Sequence, residues 1–241
     1  MDSLLAIHVW LNARSTDRKA HADASSSLNV RAFVLQESLL IVLSKEQVSS
    51  EVMKISSDSG LAFFIRIFYL KIVKPEQIVE NAEFFGEDEK DIVDAGFAFA
   101  AESKAVEYLA RSEQSRFGLS KKLANKNYER KFIEMALGYL EFKNYLSDER
   151  FARAWLNSRR INHSEGRSKL AAELASRGIG KETAKVALDE FFQENSEIEL
   201  CRKDFAKISK NCADSEKIIR RLISHGFSYS MIKKVISGDF D

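Results

Sequence analysis

The sequence has little of what breaks a helix. Its 241 residues contain one proline, Pro75, and ten glycines. Turn-rich β folds use both residues freely, so this scarcity favours helix. Cysteine is also rare: Cys201 and Cys212 show neither C-x-x-C spacing nor a disulfide framework. They are expected to be small buried or half-buried residues in a reducing compartment, which predicts a cytoplasmic protein.

Motifs for catalysis, cofactors and membranes are missing as well. There is no G-x-S-x-G, no phosphate-binding glycine loop and no G-x-G-x-x-G. No histidine is followed by a second metal ligand at i+3 or i+4. The first residues lack the basic start of a secretory signal, and the most apolar run, 61–70, is far shorter than the roughly 20 residues of a membrane span. We therefore expect no enzyme activity, no metal, no cofactor and no membrane contact. The histidines are His8, His21, His163 and His225.

The near-neutral net charge of +1 hides an asymmetry. Residues 1–100 carry 10 basic and 15 acidic side chains, and residues 101–241 carry 27 and 21. The basic excess is densest between Arg111 and Lys185, with 17 basic against 9 acidic residues. Such a local field suits contact with a polyanion through one region, although an ordinary solvated helical surface has the same composition.

The N-terminal third predicts a small antiparallel sheet behind a flexible leader. Residues 1–28 have weak periodicity and form the leader, within which 4–11 could be a short helix. Residues 29–86 form a β-containing segment, in which Asp58-Ser59-Gly60 is a hairpin connection. Pro75 suits the first position of a helix, predicted over 75–84. The predicted strands are 30–35, 39–43, 52–55 and 61–68.

Beyond Gly86 the apolar period is helical and an internal repeat appears. Each unit has an apolar pair at i and i+4, a helix-stop residue four positions later, and further apolar residues at equal offsets. Gly178 and Gly226 are expected to end helices in the left-handed conformation, which Asn127 can also adopt. Ser228 is a plausible N-cap. The aligned pairs are Leu119 and Leu123, Leu170 and Leu174, and Ile218 and Leu222, and the later offsets hold Ile133, Ala136 and Leu137, Ala184, Ala187 and Leu188, and Ile232, Val235 and Ile236.

A third helix precedes each pair, over 100–111, 147–160 and 198–209. Because one helix pair cannot bury its apolar stripe alone, neighbouring repeats must cover it. The predicted fold is mainly α: three tandem three-helix repeats in a curved array, preceded by the small antiparallel β segment. The repeats are assigned to residues 87–146, 147–195 and 196–241.

The middle repeat carries a recognisable string. Residues 145–152 read Tyr-Leu-Ser-Asp-Glu-Arg-Phe-Ala, followed by Arg159-Arg160, Gly166-Arg-Ser-Lys-Leu170 and Arg177-Gly178-Ile179. This resembles the central signature of the RecX family, and the first and last repeats resemble it too, over about residues 100–240. Ser147 stands where the family usually has Asp, Asn127 where it has Gly, and the N-terminal portion is longer.

The resemblance implies a function. RecX proteins bind the helical groove of the RecA recombinase filament on single-stranded DNA and suppress its ATP hydrolysis and strand exchange, with no catalysis of their own. We therefore expect a monomeric inhibitor of RecA that modulates recombination, DNA repair and the SOS response, with weak direct contact to DNA. The alternative is a helical regulator that acts directly on nucleic acid, since three-helix units resemble helix-turn-helix modules.

The candidate partner-binding residues are basic. On the sequence alone a solvated face is as good an interpretation of them as a binding face, and the family resemblance favours binding. Asp148 and Glu149 diverge on a helix and are expected to complement its dipole after the N-cap Ser147, not to form a catalytic pair. Phe151 and Trp155 predict a core stripe more than a base-stacking platform. The basic set is Arg111, Arg116, Lys122, Lys126, Arg150, Arg153, Arg159, Arg160, Arg167, Lys169 and Arg177.

Overall fold

A computed structural model describes residues 39–238 of the chain. The predicted leader, residues 1–28, and the predicted strand 30–35 lie outside the described residues. The described chain packs as two compact units. The first runs to Ala105 and also contains Asn127–Ala136, and the second contains Val106–Lys126 and the chain from Leu137 onward.

The first unit contains the predicted antiparallel sheet. Strand β2 (Val52–Ser57) lies between β3 (Ala62–Arg66) and β1 (Leu39–Gln47), and the short β4 (Glu83–Phe85) pairs with the other edge of β1. The predicted turn joins β2 to β3, and Gly60 adopts φ +77° there, a conformation that costs glycine nothing. Alternate side chains of β2 and β3 are buried, as expected when one face covers a core.

The helix predicted over 75–84 is wrong. Only Pro75–Gln77 forms a single 3₁₀ turn, with Pro75 at its start. Asn81 then adopts φ +63°, which interrupts any helix, and Phe84 pairs with Leu40 in the sheet. Pairing with β1 buries the Phe84 side chain, and this long-range gain outweighs the local preference for helix.

Two buried carboxylates hold the chain between the sheet and the first helix. Glu102 accepts hydrogen bonds from Arg66 and, at 2.9 Å, from the Tyr69 hydroxyl. Asp91 accepts backbone N–H bonds of 2.9–3.0 Å from Lys71, Ile72 and Val73. These bonds satisfy polar groups in a segment that has no ladder partner.

Nine helices follow within the described residues, and the mainly α class is confirmed. Each predicted opening helix is present, and the first begins earlier than expected, at Gly86. The helices are α1 (Gly86–Leu109), α2 (Arg116–Ala124), α3 (Arg130–Phe142), α4 (Asp148–Asn162), α5 (Arg167–Ser176), α6 (Lys181–Glu194), α7 (Glu197–Ser209), α8 (Ser215–Ser224) and α9 (Tyr229–Ser237).

The stripe positions defined by the repeat alignment are buried, with one exception. Ile236, near the end of α9, is 43% exposed. In the second unit α4 packs against α6, and α7 packs against α8 and α9 around one apolar core. The buried stripe residues are Leu119, Leu123, Ile133, Ala136, Leu137, Leu170, Leu174, Ala184, Ala187, Leu188, Ile218, Leu222, Ile232 and Val235.

The predicted helix ends are confirmed. Gly178, Gly226 and Asn127 have φ of +79°, +92° and +62°, the left-handed conformation that lets the chain leave a helix at once. Ser147 accepts a hydrogen bond from the Arg150 N–H, and Ser228 accepts one from Met231, so both are N-caps.

The cysteines are placed as expected, with Cys201 buried and Cys212 half-buried. Burial, aided by the charges of Asp204 and Glu197, raises the pKa of the Cys201 thiol to about 11. A thiol with that pKa remains protonated at neutral pH and is a poor nucleophile. No helix among residues 39–238 is long and apolar enough to cross a membrane.

Candidate functional site

Successive repeats of the second unit meet at two equivalent positions: the residue before the second helix of one repeat, and the residue before the left-handed glycine of the next. Ser115, which caps α2, donates its hydroxyl hydrogen to the carbonyl of Arg177 at 2.8 Å. One repeat later, the N–H of Gly166 donates to the carbonyl of His225 at 2.9 Å. In each case the start of the second helix of a repeat, α2 or α5 (its middle helix), contacts the left-handed turn of the next repeat. The junction is therefore a recurring feature of the fold.

The glycines in these turns are required by contact as well as by φ. A Cβ on Gly178 would lie 2.3 Å from the Cβ of Phe117, and one on Gly226 would lie 2.5 Å from the backbone nitrogen of Lys169. Gly166 is equally confined, because its Cβ would meet the carbonyl oxygen of Gly226 at 2.4 Å. No side chain fits at these distances, and the junctions therefore fix how one repeat lies on the next.

A carboxylate from the following repeat also caps each of these middle helices. Asp148 Oδ1 accepts from the backbone N–H of Arg116, and Glu197 Oε1 accepts from that of Arg167, both at 2.8 Å. The placement of Asp148 and Glu149 in the first turn of α4 is as predicted. The second role of Asp148 was not predicted, although the matching places of Asp148 and Glu197 in the repeat carried the signal.

Most candidate basic residues have carboxylate partners within the protein. Arg153 forms two hydrogen bonds with Glu190 on α6, of 2.6 and 3.0 Å. Arg167 pairs with Asp189, the residue before Glu190 on the same helix. The bond from Arg153 holds the pKa of Glu190 below its ordinary value. The other carboxylate pairs are Arg116 with Glu141, Arg150 with Glu113, Arg159 with Glu165 and Glu173, Lys169 with Glu165, and Arg177 with Glu173.

Four candidates have no carboxylate within ion-pair distance in the part of the chain that is described. Lys122 donates to the side-chain oxygen of Gln114 at 2.7 Å, and Arg160 donates to that of Asn195 at 3.1 Å. Arg111 and Lys126 are exposed, the first after α1 and the second after α2. These four carry charge that internal carboxylates leave uncompensated, and a partner could use it.

Trp155 packs against the core of the second unit, as the stripe interpretation predicts. Its half-buried ring is also covered by two guanidinium groups, Arg177 at 4.5 Å from the ring centroid and Arg159 at 5.7 Å. Cation–π contacts of this kind stabilise the stacked side chains. They also occupy surface that a nucleic-acid base would need, which disfavours a stacking platform here.

Glu165 lies at the centre of a connected group of charged side chains. Its side chain is 5% exposed. It accepts two hydrogen bonds of 2.9 Å from Arg159 and forms an ion pair of 2.7 Å with Lys169. Burial alone would raise the pKa of Glu165, but the hydrogen bonds from Lys169 and Arg159 and their charges outweigh it and lower the pKa. Glu165 therefore remains ionised in the folded protein and anchors the loop before α5.

Replacing Glu165 with Gln should destabilise the second unit by about 1–3 kcal/mol at neutral pH, because it leaves two cations facing an uncharged, nearly buried group. The folded-state pKa is lowered, so the contribution is present above the unfolded pKa of about 4.3 and is lost as pH falls through the folded value. Urea unfolding at neutral pH and near pH 3.5 measures both effects, and the variant should show a flatter acid dependence. Glu190→Gln, which breaks a surface pair, should cost much less. Equal losses for the two variants would contradict the role of Glu165.

Within residues 39–238, no cluster of three or more His, Cys, Asp or Glu side chains is arranged to hold a metal ion. Several of the described ion pairs join two helices, among them Arg116 with Glu141, Arg153 with Glu190 and Arg167 with Asp189. The helices, their glycine turns and the carboxylate caps between them define a class: a helical repeat protein.

Comparison with known proteins identifies the family. The model of the RecX second three-helix domain matches residues 147–188. The regulatory protein RecX of Treponema pallidum (strain Nichols) is 34% identical over 139 residues, 58% of this chain and 85% of that protein. That of Clostridioides difficile (strain 630) is 27% identical over 183 residues, 73% of this chain and 84% of its own length. The chain belongs to the RecX family.

Solved structures agree on the fold. The crystal structure of a regulatory protein RecX superposes with a TM-score of 0.66 and 21% identity, and covers 82% of this chain and 99% of its own. RecX from Lactobacillus salivarius gives a TM-score of 0.51 and 20% identity over 59% of this chain and 96% of its own. Since its relatives are named regulatory proteins, the chain is a RecX-family regulator.

Proposed function

We propose that this protein binds the RecA filament on single-stranded DNA and inhibits its ATPase and strand-exchange activities, and so modulates recombination and DNA repair in the cytoplasm. The observation that carries the proposal is the 34% identity to a regulatory protein RecX over most of that protein's length. The identity extends over 139 residues, well beyond the 147–188 matched by the model of the second three-helix domain, and therefore concerns more than one three-helix repeat.

The proposed mechanism is occupancy. Repeats stacked through glycine turns and carboxylate caps present their surface side chains at fixed spacing, and such preorganised contacts lose little entropy on binding. A filament offers equivalent surfaces at regular intervals. The array would contact neighbouring protomers, and it would block the path of duplex DNA or the motions that ATP turnover needs.

The test is a titration of the purified protein into RecA turning over ATP on single-stranded DNA. The rate should fall to a small fraction of its initial value as the protein approaches saturation, and the protein alone should hydrolyse no ATP. Co-sedimentation should retain it with filaments far better than with the same DNA lacking RecA. Unaltered turnover at saturating protein, or equal retention by bare DNA, would contradict the proposal. The second result would favour the regulator that acts directly on nucleic acid.

A further inference from the structure

A cavity of about 580 Å³ opens on the surface of the second unit. Its walls are the end of α4 with the loop 163–165, the helix α7, and the turn that contains His225. The cavity lies within the size range of sites that hold small molecules. The RecA-directed function proposed above makes no use of it as a site.

The lining is rich in cationic side chains. Arg160, Lys169, Lys203 and Lys207 line the cavity together with His163 and His225. Lys203 and Lys207 are four residues apart on α7, so they lie on one face of the helix and repel each other. Within the described residues, Lys203 and Lys207 gain no ion pair from this arrangement, whereas an anionic ligand would supply one.

Two carboxylates line the same cavity, but both are committed internally. Glu165 bonds Arg159 and Lys169, as described above. Asp204 is buried and lies 2.6 Å from Nδ1 of His225. That contact occupies one ring nitrogen of His225 and leaves Nε2 without a partner among residues 39–238.

The remaining cations are not neutralised by the protein. Across the described residues, no carboxylate lies within ion-pair distance of Lys203, Lys207 or Arg160, and Arg160 bonds only the neutral Asn195. The cavity therefore combines three uncompensated positive charges with an imidazole held in place by a carboxylate. Groups of this kind are the usual ligands of phosphate oxygens.

We propose that this cavity is a binding site for a compact phosphorylated ligand that carries two or three linked phosphates. Several clustered positive charges suit a ligand with linked phosphates better than a ligand that carries a single carboxylate. The lining contains no Phe, Tyr or Trp, so a nucleic-acid base would have little to stack on, and recognition would run through phosphates. The phosphodiester backbone of a single strand shares this chemistry, and the experiment below separates the two sources.

The probe is inorganic tripolyphosphate, titrated calorimetrically into the full-length protein. The test variant is Lys203→Gln/Lys207→Gln. The control, Lys181→Gln/Lys185→Gln, removes the same charge at the same spacing from exposed positions on α6, outside the cavity. We expect the test variant to weaken binding about tenfold or more and the control to weaken it less than about twofold. All four lysines are exposed, so melting curves should be unchanged for both variants.

A second arm uses a fluorescein-labelled oligothymidylate, read by anisotropy, with tripolyphosphate as competitor. If the oligonucleotide binds through the cavity, tripolyphosphate should displace it, and the test variant should reduce the salt slope by roughly 1.4, about 0.7 for each lysine. Three results would overturn the proposal: no binding of tripolyphosphate, equal losses in the two variants, or oligonucleotide binding that depends on Lys203 and Lys207 but resists tripolyphosphate. RecA is absent from both arms, so the outcome is independent of the inhibitory function.

Discussion

Replacing Leu174 with Asp should remove the cooperative unfolding transition of the second unit. Leu174 is completely buried on α5 and belongs to the core that α4 to α9 share. Losing a buried leucine costs about 2–5 kcal/mol, and the new carboxylate must in addition be either ionised without a partner or protonated at a cost. Domains of this size are stable by only about 5–15 kcal/mol, so the folded state should no longer dominate.

Ser168→Asp is the matched control, because it adds the same charge to the exposed first turn of the same helix. A negative charge there complements the helix dipole, so thermal stability should stay within about 0.5 kcal/mol of the parent. Circular dichroism at 222 nm during heating measures both variants. A Leu174→Asp protein that melts like the parent would show that Leu174 is not part of a shared core, and the assignment of the helical period would be wrong.

The features that could be predicted from the sequence are those set by local chemistry. Gly178, Gly226 and Asn127 were predicted to leave helices in the left-handed conformation, and each has a positive φ. The conformation at such a helix end can be predicted without knowing the distant contacts, because the conformational cost falls on that residue alone. The periodic apolar positions were equally predictable, since one stripe must face the core.

The segment after Pro75 could not be predicted, because its structure depends on a distant strand. Glu83, Phe84 and Phe85 pair with Ile41, Leu40 and Leu39, more than forty residues earlier in the chain. Nothing in the local sequence favours three strand residues there over the end of a helix. The sheet provides the partner, and the sequence pattern contains no information about its position.

The candidate basic residues show the same limit. Charge counting identifies an excess between Arg111 and Lys185, but it cannot say which cations the fold neutralises. Arg153 on α4 pairs with Glu190, 37 residues away, and Arg167 on α5 pairs with Asp189. Both acids lie on α6, which packs close to these two arginines. Of the acids close in sequence to these arginines, Glu165 and Glu173 form ion pairs with Arg159, whereas Asp148 caps a helix.

The difference between cations that pair with internal carboxylates and cations that do not changes how a basic binding surface should be tested. Reversing Arg153 or Arg167 would place two carboxylates together on the protein's own surface, so a loss of function could reflect altered packing. Neutralisation avoids that ambiguity. The first variant, Arg111→Gln/Lys122→Gln/Lys126→Gln, removes three cations without an internal carboxylate. The second, Arg153→Gln/Arg167→Gln/Arg177→Gln, removes three cations that have one.

We expect the first variant to need at least about tenfold more protein for half-maximal suppression of RecA ATPase, since each lost contact with an acidic partner costs roughly 1 kcal/mol or more. The second should need only a few times more, because those side chains already satisfy carboxylates on the protein and must break these pairs to reach a partner. The first variant should melt near the parent temperature, as exposed charges contribute about 0–1 kcal/mol each to folding. The second also loses the stacking of Arg177 on Trp155 and should melt somewhat lower, which its heating curve measures. If the second variant loses more suppression than the first, the paired arginines must exchange their internal carboxylates for partner groups on binding. If neither loses any, contact with the filament runs through other surfaces and the basic set is a solvated face.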